Sequence, residues 1–286
     1  MEIIFKQWQD VLKLQHCLAE HAKSSWYYET EFQNQKQFIL TIDVDAIDEA
    51  HLKRIIKNFL LNQKRGDWIR TILHEQFFYQ DDTLQNQIMD IVYEIFSGDR
   101  TELTSLLEEA DEDAMIEEAA ASLFERSGAI SFDSFIKFRM KKYMMRLVQY
   151  VELAIDEFKM EQEYQTFVQM LRDFLQKKES KMDAIHLVLS GDDQPVFFNS
   201  RFEQLTRQQL LEMMDRRLLT NHPVYIDSFT IAPLLSMAPQ CIYIYTDERN
   251  NGLVRTVQNI FEERVCILKR GTFEEEKNAA NGSPAN

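Results

Sequence analysis

The sequence predicts an α+β protein: a mainly helical body with an N-terminal α/β element, a long central helix with a kink, and a small C-terminal α/β lobe. Three observations carry this. Between Gly128 and Gly191, 62 residues contain neither glycine nor proline, and most of that run has helical periodicity. Strand-like alternation concentrates before residue 45 and after residue 183. All five prolines fall after residue 194, a composition shift that marks a separate lobe. The expected division is 1–182 for the N-terminal element and helical body, 183–270 for the C-terminal lobe, and 271–286 for a disordered tail.

Taken in order, Ile3-Ile4-Phe5 is a short apolar run, and Val11, Leu12, Leu14 and Leu18 make a helical stretch. Tyr28 and then Phe38, Leu40 and Ile42 alternate about a polar QNQKQ turn, which fits a hairpin after the helix. From Ile47 the period becomes helical. Leu52, Ile55, Ile56, Phe59 and Leu60 share a face, Trp68, Ile69, Ile72, Leu73 and Phe77 follow Gly66, and Asp81-Asp82-Thr83 starts a helix carrying Ile88, Ile91, Val92, Ile95 and Phe96. These are three consecutive helices with short connections. Residues 102–118 then hold eight acids and no base, punctuated by Leu103, Leu106, Leu107, Met115 and Ile116, as in a solvated helix pair or connector.

The long helical segment, 131–179, has two phases. Ile136, Met140, Tyr143, Leu147, Val151, Ala154 and Phe158 fall in one stripe about 80° wide, whereas Tyr164, Phe167, Leu171 and Phe174 form another on a different side. The helix must therefore break or change its packing partner near Lys159 to Glu163. A straight helix over the whole segment would extend about 70 Å, which favours a kink there over one continuous two-faced helix. Ser131 is placed to cap its start.

In the C-terminal lobe, Ile185, Leu187 and Leu189 pair across an SGDDQP turn with Val196-Phe197-Phe198 as a hairpin. Leu205 to Leu219 follows as an amphipathic helix. A short helix from Asp227 to Met237, the run Cys241 to Tyr245, a helix bearing Leu253, Val254, Val257, Ile260 and Phe261, and Val265 to Leu268 read as α-β-α-β, with two buried strands paired in parallel.

At 286 residues, 45% hydrophobic, the chain has ample material for a core. Its net charge of −15 opposes broad binding to nucleic acid or anionic membrane, both of which need a positive surface field. MEIIFKQWQD lacks the features of a secretion signal, and no apolar run approaches the roughly 20 residues of a membrane span, so a soluble cytosolic protein is expected. Cys17, Cys241 and Cys266 are scattered, which predicts reduced, buried small apolar residues with neither a disulfide framework nor a zinc site.

The string FIKFRMKKYMMRLVQYVELAIDEFKMEQEYQTFVQMLRDFL, residues 135–175, resembles the YtxC-like family of sporulation-associated proteins from endospore-forming Firmicutes. Its pattern F-x-x-F-R-[LM]-K-x-Y matches Phe135, Phe138, Arg139, Met140, Lys141 and Tyr143. A second pattern, D-E-F-x-x-E-x-E-Y-x-x-F, matches Asp156, Glu157, Phe158, Glu161, Glu163, Tyr164 and Phe167. WIRTILHEQFFYQDD and IAPLLSMAPQCIYIYT are similar too, and the resemblance spans most of residues 50–268. It implies a cytoplasmic protein linked by name to sporulation, with no activity, cofactor or catalytic residue to carry over.

The candidate binding residues are Lys137, Arg139, Lys141, Lys142 and Arg146, interleaved with Phe138, Tyr143, Met144 and Met145. They could hold a phosphate backbone or membrane surface, or simply flank the buried stripe and face the acidic segment 102–118. Asp227, Asp247 and Glu248 form an alternative acidic site, because open α/β sheets place ligands beyond strand ends; the same acids also suit helix caps, and no phosphate loop accompanies them. Asp43, Asp45, Asp48 and His51 lack a calcium-loop pattern, and His74-Glu75 lacks the second histidine of HExxH. Neither a metal nor a cofactor is expected. The leading expectation is a non-enzymatic, sporulation-associated protein with a protein partner; a metal-dependent hydrolase or nuclease using the acidic site comes second, and nucleic-acid binding through 137–146 third. No oligomeric state follows from the sequence.

Overall fold

The computed structural model describes residues 1–18, 25–124, 128–190, 194–214, 229–248 and 251–282. Backbone contacts divide the chain into Met1–Glu161 and Gln162–Asn286, so the division falls inside the long helix and not at the expected 182/183.

The first unit begins with β1 (Glu2–Phe5), α1 (Trp8–Cys17), β2 (Ser25–Phe32) and β3 (Gln35–Ile42). The hairpin turns on Gln33 and Asn34, both at positive φ (51° and 60°), as a tight two-residue loop requires; the polar turn is thus shorter than QNQKQ. Strand β1 pairs antiparallel with β3 and parallel with β4 (Ala129–Ser131), giving the sheet order β2-β3-β1-β4. Ile3, Phe5, Leu40 and Ile42 turn one face of this sheet into the core.

Helix α2 (Glu49–Asn58) runs through a π-turn, Phe59–Lys64, directly into α3 (Arg65–Glu75). No connection separates them: Gly66 is helical. A Cβ there would stand 3.0 Å from Tyr93 Oη, so the glycine admits the neighbouring helix α4 (Asp82–Ser97) and does not end α3. Asp81 caps α4 through the Thr83 and Leu84 amides, and Asp48 caps α2 through His51 N–H at 3.1 Å. The acidic stretch forms α5 (Thr101–Thr104) and α6 (Glu112–Ala121), with Ile116, Ala119 and Ala120 buried.

Ser131 caps α7 (Phe132–Phe138), and α8 runs from Lys141 to Gln176 without interruption. The helix assignment thus runs across 159–163 without a break, and the chain turns earlier, at Arg139-Met140. That turn keeps Phe132 and Phe135 in the core while Met140, at 0% exposure, starts the buried stripe of α8. The two stripes do enter different cores. Met140, Tyr143, Leu147, Val151 and Phe158 join the first unit's cluster, and Phe167, Val168, Leu171 and Leu175 join the second's. Residues 159–163, Lys-Met-Glu-Gln-Glu, are exposed, and these unbranched side chains favour helix strongly enough to carry it between stripes without a core beneath.

The second unit holds β5 (Ala184–Val188), β6 (Val196–Asn199), α9 (Arg207–Met213), α10 (Ile231–Met237), β7 (Cys241–Tyr245), α11 (Gly252–Phe261), β8 (Val265–Leu268) and α12 (Thr272–Asn281). Its sheet has the order β6-β5-β7-β8, with an antiparallel β5/β6 hairpin and parallel β5/β7 and β7/β8 pairs. Ile185, Leu187, Phe197, Ile242 and Ile244 face the core. Alternation sends Cys241 and Cys266 outward, so these two cysteines are exposed rather than buried. Residues expected as disordered tail form α12, held by Phe273 at 4% exposure.

Candidate interaction groove

The turn between α7 and α8 scatters the five bases of the central segment. Arg146 points inward at 8% exposure, its guanidinium 4.9 Å from the Tyr150 ring centroid and its Nε 3.5 Å from Glu112 of the acidic stretch. Arg139 sits on the turn and lines a cavity of about 520 Å³ with Ser131, Ser134 and Phe138. Lys142 is exposed. Lys137, from α7, and Lys141, the first residue of α8, line a groove of about 610 Å³ with Ile136, Met144, Met145 and Val148. Lys137 Nζ lies 5.6 Å from the Phe138 ring centroid. Met145 is 61% exposed, so the groove presents soft apolar surface beside two cations.

Lys137 and Ile136 also line a larger adjoining cleft of about 910 Å³ between α1, α3 and α7. Its floor is ionic. The π-turn ends on Lys64, buried to 6% exposure, whose ammonium meets Asp10 at 2.7 Å and Asp67 at 3.0 Å, while Lys13 reaches Asp67 at 2.6 Å. Lys6 pairs with Asp133. Partial burial pushes the Asp67 carboxyl up, but the hydrogen bonds and charges of Lys13 and Lys64 outweigh it and hold the pKa below its ordinary value. No sequence signal marks this cluster, because Asp10 and Lys64 lie 54 positions apart.

Asp247 and Glu248 follow β7 as exposed residues, with the Glu248 amide donating to Thr246 Oγ1 at 3.0 Å; Asp227 lies outside the described residues. Among the described residues no three His, Cys, Asp or Glu side chains form a group able to hold a metal ion. Asp43 and Asp48 accept backbone amides as caps, and His51 Nδ1 lies 2.9 Å from Arg54.

A buried chain in the second unit escaped the sequence reading. His186 Nδ1 stands 2.8 Å from Tyr245 Oη, which donates to Glu276 Oε2 of α12 at 2.5 Å. Because that phenol gives its proton to the carboxylate, the imidazole Nδ1–H must be the donor to the phenol. His186 stacks between Tyr243 and Phe202, at 5.1 and 4.2 Å, and burial pushes its pKa down. The chain ties α12 to the sheet.

Two α+β units joined along one helix, with a cation-flanked apolar groove on the first, define a class by architecture. Family comparison then places it: residues 50–266 match the model of the YtxC-like family, and the chain belongs to that family. A Bacillus subtilis (strain 168) relative named Uncharacterized protein YtxC is 32% identical over 226 residues, covering 79% of each chain. No solved structure matches the chain. Among the described residues no helix is long and apolar enough to cross a membrane.

Proposed function

We propose that the protein works in the cytoplasm as a non-enzymatic, sporulation-associated protein that acts through contact with another protein, and that the α7/α8 groove makes this contact. The link to sporulation comes from the family resemblance. The observation supporting the contact is the groove itself: the exposed Met145 and the partly buried Ile136, Met144 and Val148 line it together with Lys137 and Lys141 in a chain of net charge −15. Methionine-rich surfaces adapt to a partner's side chains, and flanking cations orient it.

Affinity capture from sporulating cells tests the reading, using the intact chain and a Lys137→Glu, Lys141→Glu, Met145→Asp triple variant side by side. A protein retained by the first and lost from the second is expected. Identical capture by both would remove the groove from the account.

A further inference from the structure

Two arginines of the first unit pack on one touching pair of aromatic rings, Phe96 and Tyr150. Arg65, the first residue of α3, follows the π-turn and lies half-buried with its guanidinium carbon 4.7 Å from the Phe96 ring centroid. Arg146 approaches the same neighbourhood from α8, over Tyr150, which in turn packs on Phe96 at 4.7 Å. Glu112 stands 3.5 Å from Arg146 Nε without making a hydrogen bond to it, and already accepts the Tyr150 hydroxyl.

Three buried polar atoms there make no hydrogen bond of good geometry: Arg65 Nε, Arg146 Nε and Tyr143 Oη. They belong to one cluster, since Arg65 and Glu112 both act electrostatically on Tyr143, and Arg146 and Glu112 on Tyr150. Burial drives the Tyr143 pKa up to about 12, with the Arg65 charge opposing it, so the phenol is a neutral donor at physiological pH. Buried donors without acceptors are costly, and an anion among them would supply the acceptors. Arg65 and Glu112 remain partly exposed, so the cluster reaches solvent.

We propose that Arg65, Tyr143 and Arg146 form a binding site for one small free oxyanion, a carboxylate or phosphate, held by both guanidinium groups and the Tyr143 hydroxyl. Planar guanidinium donors suit the paired oxygens of such groups.

Thermal unfolding of the full chain at constant ionic strength, with chloride replaced stepwise by phosphate or formate, provides the test. A saturable rise in Tm with either oxyanion is expected, with one site per chain by calorimetric titration of phosphate. The rise should vanish in Arg65→Gln, a partly exposed position that leaves the core intact, and in Arg146→Met. If the second variant fails to fold, the first decides. No saturable rise over chloride, or a rise that Arg65→Gln retains, would overturn the site.

Discussion

Lys64 is the residue on which the first unit's ionic cleft depends. Its side chain is 7% exposed and that of Asp10 is 9%, so removing Lys64 leaves the buried Asp10 carboxylate without its counter-ion. Lys64→Met is expected to cost about 3–5 kcal/mol in urea unfolding, and adding Asp10→Leu to restore most of it, since an apolar pair carries no desolvation penalty. A double variant no more stable than the single one would refute this reading. Asp67 adds a pH dependence. Its folded pKa lies below the ordinary value of 3.8, so its contribution is complete above that value and is lost as pH falls through the folded pKa. Acid unfolding curves should therefore separate wild type from Asp67→Asn above pH 4 and converge below it. None of this was legible beforehand. Charged residues at 10, 13, 64 and 67 look like ordinary solvated positions until α1 and the π-turn are side by side, and His186 reads only as the outward residue between Ile185 and Leu187.

At the scale of the element, periodicity reported faces faithfully and boundaries poorly. From Met140 to Phe158 the first stripe is buried where the phase of the sequence put it; of the second, Phe167 and Leu171 are buried while Tyr164 and Phe174 are partly buried at its edge. The continuity of α8 did not follow, because a phase change can be absorbed by switching cores without breaking the backbone. Gly66 misled for a related reason: its missing side chain makes room for Tyr93, while its backbone stays helical. Tyr93 is 44% exposed and its ring can yield a few tenths of an ångström, so Gly66→Ala should gain from helix propensity. A stabilisation of up to about 1 kcal/mol is expected in chemical unfolding; a loss of that size would mean that Tyr93 is held rigidly. The helix α12 went unforeseen because its docking rests on Phe273 and Glu276 meeting a sheet face, long-range contacts with no local pattern.

For the whole molecule, the two cores share no residue. Leu147→Ala in the first and Leu171→Ala in the second, both at 0–1% exposure, should each cost about 2–5 kcal/mol and each shift a different calorimetric transition. One transition moved equally by both would show that α8 couples the units into a single cooperative body. The family match from residue 50 to 266 covers parts of both units. Fold class and family were within reach of the sequence because composition and long motifs spread over many residues. The groove was reachable only in part: Lys137 and Lys141 were singled out, but their separation from Arg139 and Arg146 depends on the turn at Arg139-Met140. The most direct measurement of the contact account is spore yield in a strain whose only copy carries Met145→Asp. Met145 is 61% exposed, so the variant should accumulate and unfold like wild type while spore yield falls to that of the deletion strain. Undiminished spore yield with the variant at wild-type abundance would contradict the account.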